Sequence, residues 1–194
     1  MPRARMDEAR QEEILSALEA CILDRGLLQT SLNDVAEKAG LARPLVRHFV
    51  GNRDEMIERL FERLIDRGEK QLEALNSAER SPSLNERLDL LYGDLFSNRA
   101  SNVVVSELWA HARRNERTRP RLRALYEKVL GSLVDAMKRE GLGHTRTQRH
   151  DAAYALVSLA YGHAAFREIE LQPKTKRSPR AMADIIVSTL ADKG

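Results

Sequence analysis

The chain has 194 residues, of which 42% are hydrophobic, 31% charged and only 5% aromatic, and its formal net charge is +3. That length holds one or two small domains, and so much charge with so few aromatics suits an all-helical protein. No apolar run approaches the roughly 20 residues that span a bilayer, the start M-P-R-A-R-M-D-E has no hydrophobic signal core, and the single Cys21 forbids an internal disulfide, so a cytoplasmic protein without membrane contact is expected.

Residues 1–9 are expected to form a loose arm, in which Arg3 and Arg5 either reach a DNA minor groove or simply trail in water. Residues 10–25 read as a first helix, because Ile14, Leu15, Leu18, Cys21 and Ile22 recur at three and four. Cys21 on that face reads as a small buried side chain. Gly26 ends the helix.

The stretch S-L-N-D-V-A-E-K-A-G-L-A-R-P-L-V-R-H-F-V-G-N-R, residues 31–53, carries the functional signal. Ser31 followed by Asp34 is an N-terminal capping pattern, and Leu32, Val35, Ala36 and Ala39 then share a helical face. Gly40 breaks that helix. A second short helix starts near Ala42 and Arg43, with Pro44 tolerated in its first turn. Leu45 and Phe49, at i and i+4, are expected to face inward, leaving Arg43, Arg47 and His48 on other faces. Two short helices joined at a glycine, the second presenting cations, make a helix-turn-helix. From Lys38 to Arg53 the cations are Lys38, Arg43, Arg47 and Arg53, with no acid among them. A helix entering the major groove must meet phosphates without repulsion, and these residues allow it. Over residues 1–57 acids outnumber bases, so the placement of the cations is informative and their total is not.

An amphipathic helix, Gly26, this motif, then N-R-D-E-M opening a long helix together resemble the tetracycline-repressor (TetR) family of bacterial transcriptional regulators. The resemblance covers residues 10–60. It implies an all-α homodimer: a three-helix DNA-binding head, residues 1–53, and a helical ligand-binding and dimerisation body, residues 54–194. It assigns the operator contacts to Ser31, Asn33, Arg43, Pro44, Arg47, His48 and Arg53. Three features depart from the family pattern. Ala42 stands where a serine usually caps the recognition helix, Val46–Arg47 replaces a tyrosine pair, and the turn Val50 to Asn52 reads one residue longer than usual.

Beyond the head, helices are expected over 53–77, 84–98, 102–115, 119–141, 147–170 and 179–192, with Ser81–Pro82 in a loop. The segments around L-W-A-H-A-R and R-P-R-L-R-A-L-Y resemble family members akin to the choline-responsive betaine-pathway repressor. Tyr92, Phe96, Trp109, Tyr126 and His163 are candidate inducer contacts, and an ordinary core would show the same aromatic pattern. The arginine-rich run Arg113 to Arg123 reads either as a solvated turn or as an anion site. Small residues on the eighth helix suit close helix approach, and the family pairs its last two helices between subunits, which points to Leu156, Leu159, Phe166, Ile185 and Ile186 as dimer contacts.

Neither G-x-S-x-G, a P-loop, H-E-x-x-H nor paired cysteines occur, and the five histidines make no i, i+4 pair. No enzyme, metal or cofactor is therefore expected. The expected partners are a double-stranded DNA operator, a second copy of the chain and a small-molecule inducer. The reading that follows is a ligand-responsive dimeric repressor. The alternatives are an architectural or non-specific DNA-binding protein without a ligand, and a helical enzyme or carrier in which the motif serves packing alone.

Overall fold

The computed structural model describes residues 3–77, 80–95, 99–171, 173–174 and 177–191. Among them the secondary structure is α-helical throughout, with one π-helical turn. The helices are α1 (Arg3–Arg25), α2 (Leu32–Ala39), α3 (Arg43–Val50), α4 (Arg53–Asn76), α5 (Leu84–Leu90), α6 (Arg99–Ala112), α7 (Thr118–Arg139), α8 (Arg146–Glu168) and α9 (Pro179–Ala191), and the π-helical turn is Leu91–Leu95.

Capping side chains set most helix starts. Ser31 accepts the Asp34 amide (3.3 Å) while Asp34 Oδ2 accepts the Ser31 amide (2.8 Å), and Ser83 and Glu86 form the same reciprocal box at α5. Asn52 Oδ1 accepts the Asp54 and Glu55 amides at 2.9 and 3.0 Å, and the Glu55 carboxylate returns to the Asn52 amide at 2.7 Å. Thr145 caps α8 by accepting the Gln148 amide at 3.1 Å. Each box satisfies amides that a helix start otherwise leaves open.

Two expectations about elements are corrected. The arm expected over residues 1–9 is helical from Arg3 onward, because R-A-R-M-D-E-A-R contains good helix formers and no breaker. The single helix expected over 84–98 stops at Leu90 and widens into the π-helical turn that contains Gly93, a residue whose backbone freedom weakens a regular helix.

The chain divides into two compact units, Met1–Arg67 with Val103–Arg119, and Gly68–Asn102 with Pro120–Gly194. In the first, the core side chains are Ile14, Leu18 and Ile22 of α1, Val35 of α2, Val46 and Val50 of α3 and Met56, Leu60, Phe61 and Ile65 of α4, each at most 1% exposed. Cys21 is buried there too, and burial pushes its thiol pKa up, as suits an inert core residue. In the second, Leu84, Leu88 and Leu91 pack with Leu133 and Met137 of α7, with Leu156 and Ala160 of α8 and with Ala183 and Leu190 of α9.

Candidate nucleic-acid interface

The turn between α2 and α3 depends on Gly40, whose φ of 65° is left-handed backbone that a side chain disfavours, and whose amide closes onto the Ala36 and Glu37 carbonyls. Ala42 then adopts the extended geometry of a cap (φ −69°, ψ 138°) without a side chain to complete it. Pro44 sits in the first turn of α3, where no amide is needed.

The inward pair on α3 is Val46 and Val50, both fully buried, and not Leu45 and Phe49. Leu45 is 40% exposed and Phe49 half-buried, with its ring 5.1 Å from that of His48 in an edge-on contact. The spacing i, i+4 fits either pair, and the compact valines suit a helix held against both α1 and α2. Val50 is also the last residue of α3, so the link to α4 is only Gly51 and Asn52. The longer turn read from the sequence is therefore the last residue of α3 followed by a two-residue connection. Gly51, at φ 82°, leaves no room for a β-carbon because Glu55 Oε2 would lie 2.1 Å from it.

Arg43, Pro44, Arg47 and His48 of α3 are all exposed, and Ser31 and Asn33 are exposed at the start of α2. The cations of this stretch are not equally available. Lys38 pairs with Asp24 of α1 at 3.0 Å. Arg53 turns inward and donates Nε–H to the Thr30 carbonyl (2.9 Å) and Nη2–H to the Leu27 carbonyl (2.6 Å), tying the α1–α2 loop to the start of α4. Arg43 and Arg47 make no side-chain bond within the described residues, so both guanidiniums point to solvent. The Ser31 hydroxyl is bonded to Asp34 Oδ2 at 2.5 Å, and this bond, with that from the Ser31 amide, holds the Asp34 carboxyl below its ordinary value. Arg25 completes the corner by pairing with Asp34 at 2.5 Å.

Glu58 of α4 gathers the corner between α6 and α7. Its carboxylate accepts from His111 Nε2 (2.9 Å), from the Asn115 amide group and from Thr118 Oγ1 (3.3 Å). Asn115 in turn caps α7 by accepting the Arg117 and Thr118 amides. The His111 ring stacks at 4.7 Å on Phe61, and Glu107 Oε1 accepts the Leu27 amide at 3.4 Å. The sequence reading did not single out Glu58, Glu107 or Asn115. An N-x-x-T pattern at Asn115–Thr118 was the available signal.

The proposed ligand residues are distributed over both units. Tyr92 belongs to the core of the second unit, where its hydroxyl donates to the Leu156 carbonyl at 2.7 Å and burial pushes its phenol pKa up. Tyr126 packs against the same core. His163 is half-buried, and burial, then the Arg167 charge, hold its imidazole below the ordinary histidine value. Trp109 lies in the first unit, and Phe96 lies outside the described residues. A groove of about 540 Å³ between α7 and α8, lined by Glu127, Asp135, Lys138, Arg146, Arg149 and His150 among others, contains none of them. Arg113, Arg114, Arg117, Arg119, Arg121 and Arg123 are all exposed, which matches the solvated-turn reading of that run.

The dimer candidates also separate. Leu156 is fully buried in the chain's own core and is no part of its surface. The small residues Ala152, Ala153, Ala160 and Ala164 of α8 are buried there as well, so they serve packing within the chain. Phe166 and Ile185 are 53% and 50% exposed, and Leu159 and Ile186 are half-buried.

No protein-family model matches the chain. It is 27% identical over 165 residues to the HTH-type transcriptional regulator BetI of Brucella anthropi, covering 83% of this chain and 84% of the relative. Its fold is that of a TetR transcription regulator from Haloarcula marismortui (TM-score 0.77, 15% identity, 94% of this chain and 98% of the other). It is also that of a transcriptional regulator from Saccharomonospora viridis in complex with choline (TM-score 0.75, 14% identity, 96% and 97%). With this likeness in sequence to a transcriptional regulator, the fold of TetR regulators and a helix-turn-helix that exposes Arg43 and Arg47, the chain is a DNA-binding transcriptional regulator that resembles the TetR family.

Proposed function

We propose that the protein is a homodimeric repressor that holds a two-fold symmetric operator through two copies of α3 and releases it when a small inducer binds the body. The observation that carries this is helix α3, where Arg43 and Arg47 are exposed and uncommitted while Lys38 and Arg53 are bonded within the chain. A two-fold pair of such helices reads half-sites separated by roughly one turn of the duplex or somewhat more. Two copies are supported by the exposed apolar side chains of α8 and α9: Tyr154, Phe166 and Ile185 leave half or more of their surface in water in a single chain, and a partner would cover them. In this reading Ser31, Asn33, Pro44 and His48 share the phosphate and base contacts with the arginines, and Arg53 acts mainly by fixing the loop before α2.

Inducer action is population shift: the ligand must bind the DNA-incompetent arrangement better than the other. Helix α4 runs from the head past the unit boundary at Arg67, so it is the element through which the body can reposition the head. His163 and Tyr126 are the body residues proposed to meet the ligand. The S. viridis regulator was solved with choline, which makes choline the first inducer to try.

The test is binding to the DNA upstream of the protein's own gene against scrambled DNA, for wild type and Arg47→Ala, with and without choline. Selective binding that the mutation abolishes supports a sequence-reading regulator, and its loss on adding ligand supports induction. Equal binding to both DNAs with a steep salt dependence would instead make the protein an architectural DNA-binding protein.

A further inference from the structure

We infer that Leu45 meets the 5-methyl group of a thymine in each operator half-site. The inference rests on α3 being the helix that enters the major groove. With roughly 100° per residue, the buried Val46 and Val50 fix which way α3 faces. His48 then points straight away from the core, with Pro44 about 40° from it around the axis. Arg43 and Arg47 fall on one flank, and Leu45 falls on the other, about 160° from Arg47 around the axis.

Leu45 is an unusual residue to leave in water at that place. It is 40% exposed, while the valines beside it are fully buried. Phe49, one turn later on the same flank, is half-buried and engaged edge-on with His48. No charged side chain of α3 shares this flank, so it is apolar, whereas the opposite flank is cationic. Leu45 is also the third residue of the helix, and the N-terminal residues of a recognition helix are the ones that reach base edges. The major groove presents hydrogen-bonding groups almost everywhere. Its one apolar landmark is the thymine 5-methyl, which neither cytosine nor a purine offers at that position. A leucine side chain set opposite a polar base edge would strand that edge without a partner, so the flank selects for thymine, while the arginines are suited to guanine or phosphate.

The experiment uses the full-length chain and a random duplex pool. Sites enriched by the wild type are resynthesised with each thymine replaced in turn by uracil, which deletes only the methyl group. One such replacement per half-site is expected to weaken wild-type binding about three- to tenfold. Leu45→Ala is expected to bind the thymine and uracil versions equally, and Leu45→Ile to keep the preference. Thermal melting matched to the wild type establishes that the variants are folded. An enriched site in which no thymine shows a methyl dependence overturns the inference and leaves sequence-specific binding standing, as does a Leu45→Ala protein that keeps the full preference. Failure of the wild type to enrich any sequence overturns the sequence-reading proposal, and this inference with it.

Discussion

At the scale of single residues, the reading surface is narrower than the sequence suggests. Four cations lie between Lys38 and Arg53, but Lys38 is paired with Asp24 and Arg53 is bonded to two loop carbonyls. Charge that is already satisfied contributes less to phosphate binding, so affinity should concentrate in Arg43 and Arg47. Arg47→Ala is expected to lower affinity for a selected site roughly tenfold or more, leaving the melting temperature unchanged, as fluorescence anisotropy and thermal unfolding would show. The buried pair gives the opposite result. Val46→Ala removes two methyl groups from a fully buried position and should cost about 2 kcal/mol of stability in denaturant titration, and Leu45→Ala, at a position 40% exposed, should cost less. The sequence could not choose between these neighbouring pairs. In a helix of eight residues both satisfy i, i+4, and the choice is made by how closely α1 and α2 approach, which no local pattern records.

At the scale of elements, the boundaries were legible where side chains cap or glycines break. Ser31, Gly40 and Ser81–Pro82 mark ends that the structure reproduces within a residue or two. The π-helical turn was not legible, because five residues of wider helix leave an apolar pattern much like that of an ordinary one. Recognition helix α3 starts without a capping side chain, since Ala42 has the extended geometry and no oxygen. Ala42→Ser supplies that oxygen and is expected to raise stability by about 1 kcal/mol, readable as a higher midpoint in urea. At α5 the cap is charged. The Arg80 guanidinium, then the amide and hydroxyl of Ser83, hold the Glu86 carboxyl at about 2, well below its ordinary value. A carboxylate lowered by folding stabilises the folded state above its unfolded pKa and loses that contribution as pH falls through the folded one. Acid titration of the wild type should therefore show a stability decrement between about pH 4.5 and 2 that Glu86→Gln lacks. Both partners are exposed, so the decrement is small and should shrink further in salt.

At the scale of the whole molecule, the apolar side chains exposed on α8 and α9 are those that the proposed second copy would cover. Ile185→Glu places a charge on a half-exposed apolar position and is expected to yield a folded monomer by sedimentation. Its operator affinity should fall roughly a hundredfold or more, because two tethered heads bind far better than one. The division of the chain has a consequence for modularity. The unit that contains the reading helix is discontinuous: it takes residues up to Arg67 and then borrows Val103–Arg119 from much later in the chain. Glu58 shows why, since its three donors, His111, Asn115 and Thr118, all come from the borrowed piece. A fragment cut after Arg67 would strand that carboxylate and uncover Phe61. Swapping operator specificity between relatives by exchanging only the amino-terminal third should therefore give unstable hybrids, and transplanting both pieces together should give stable ones. For this protein the portable unit is a pair of segments, and a graft must carry both.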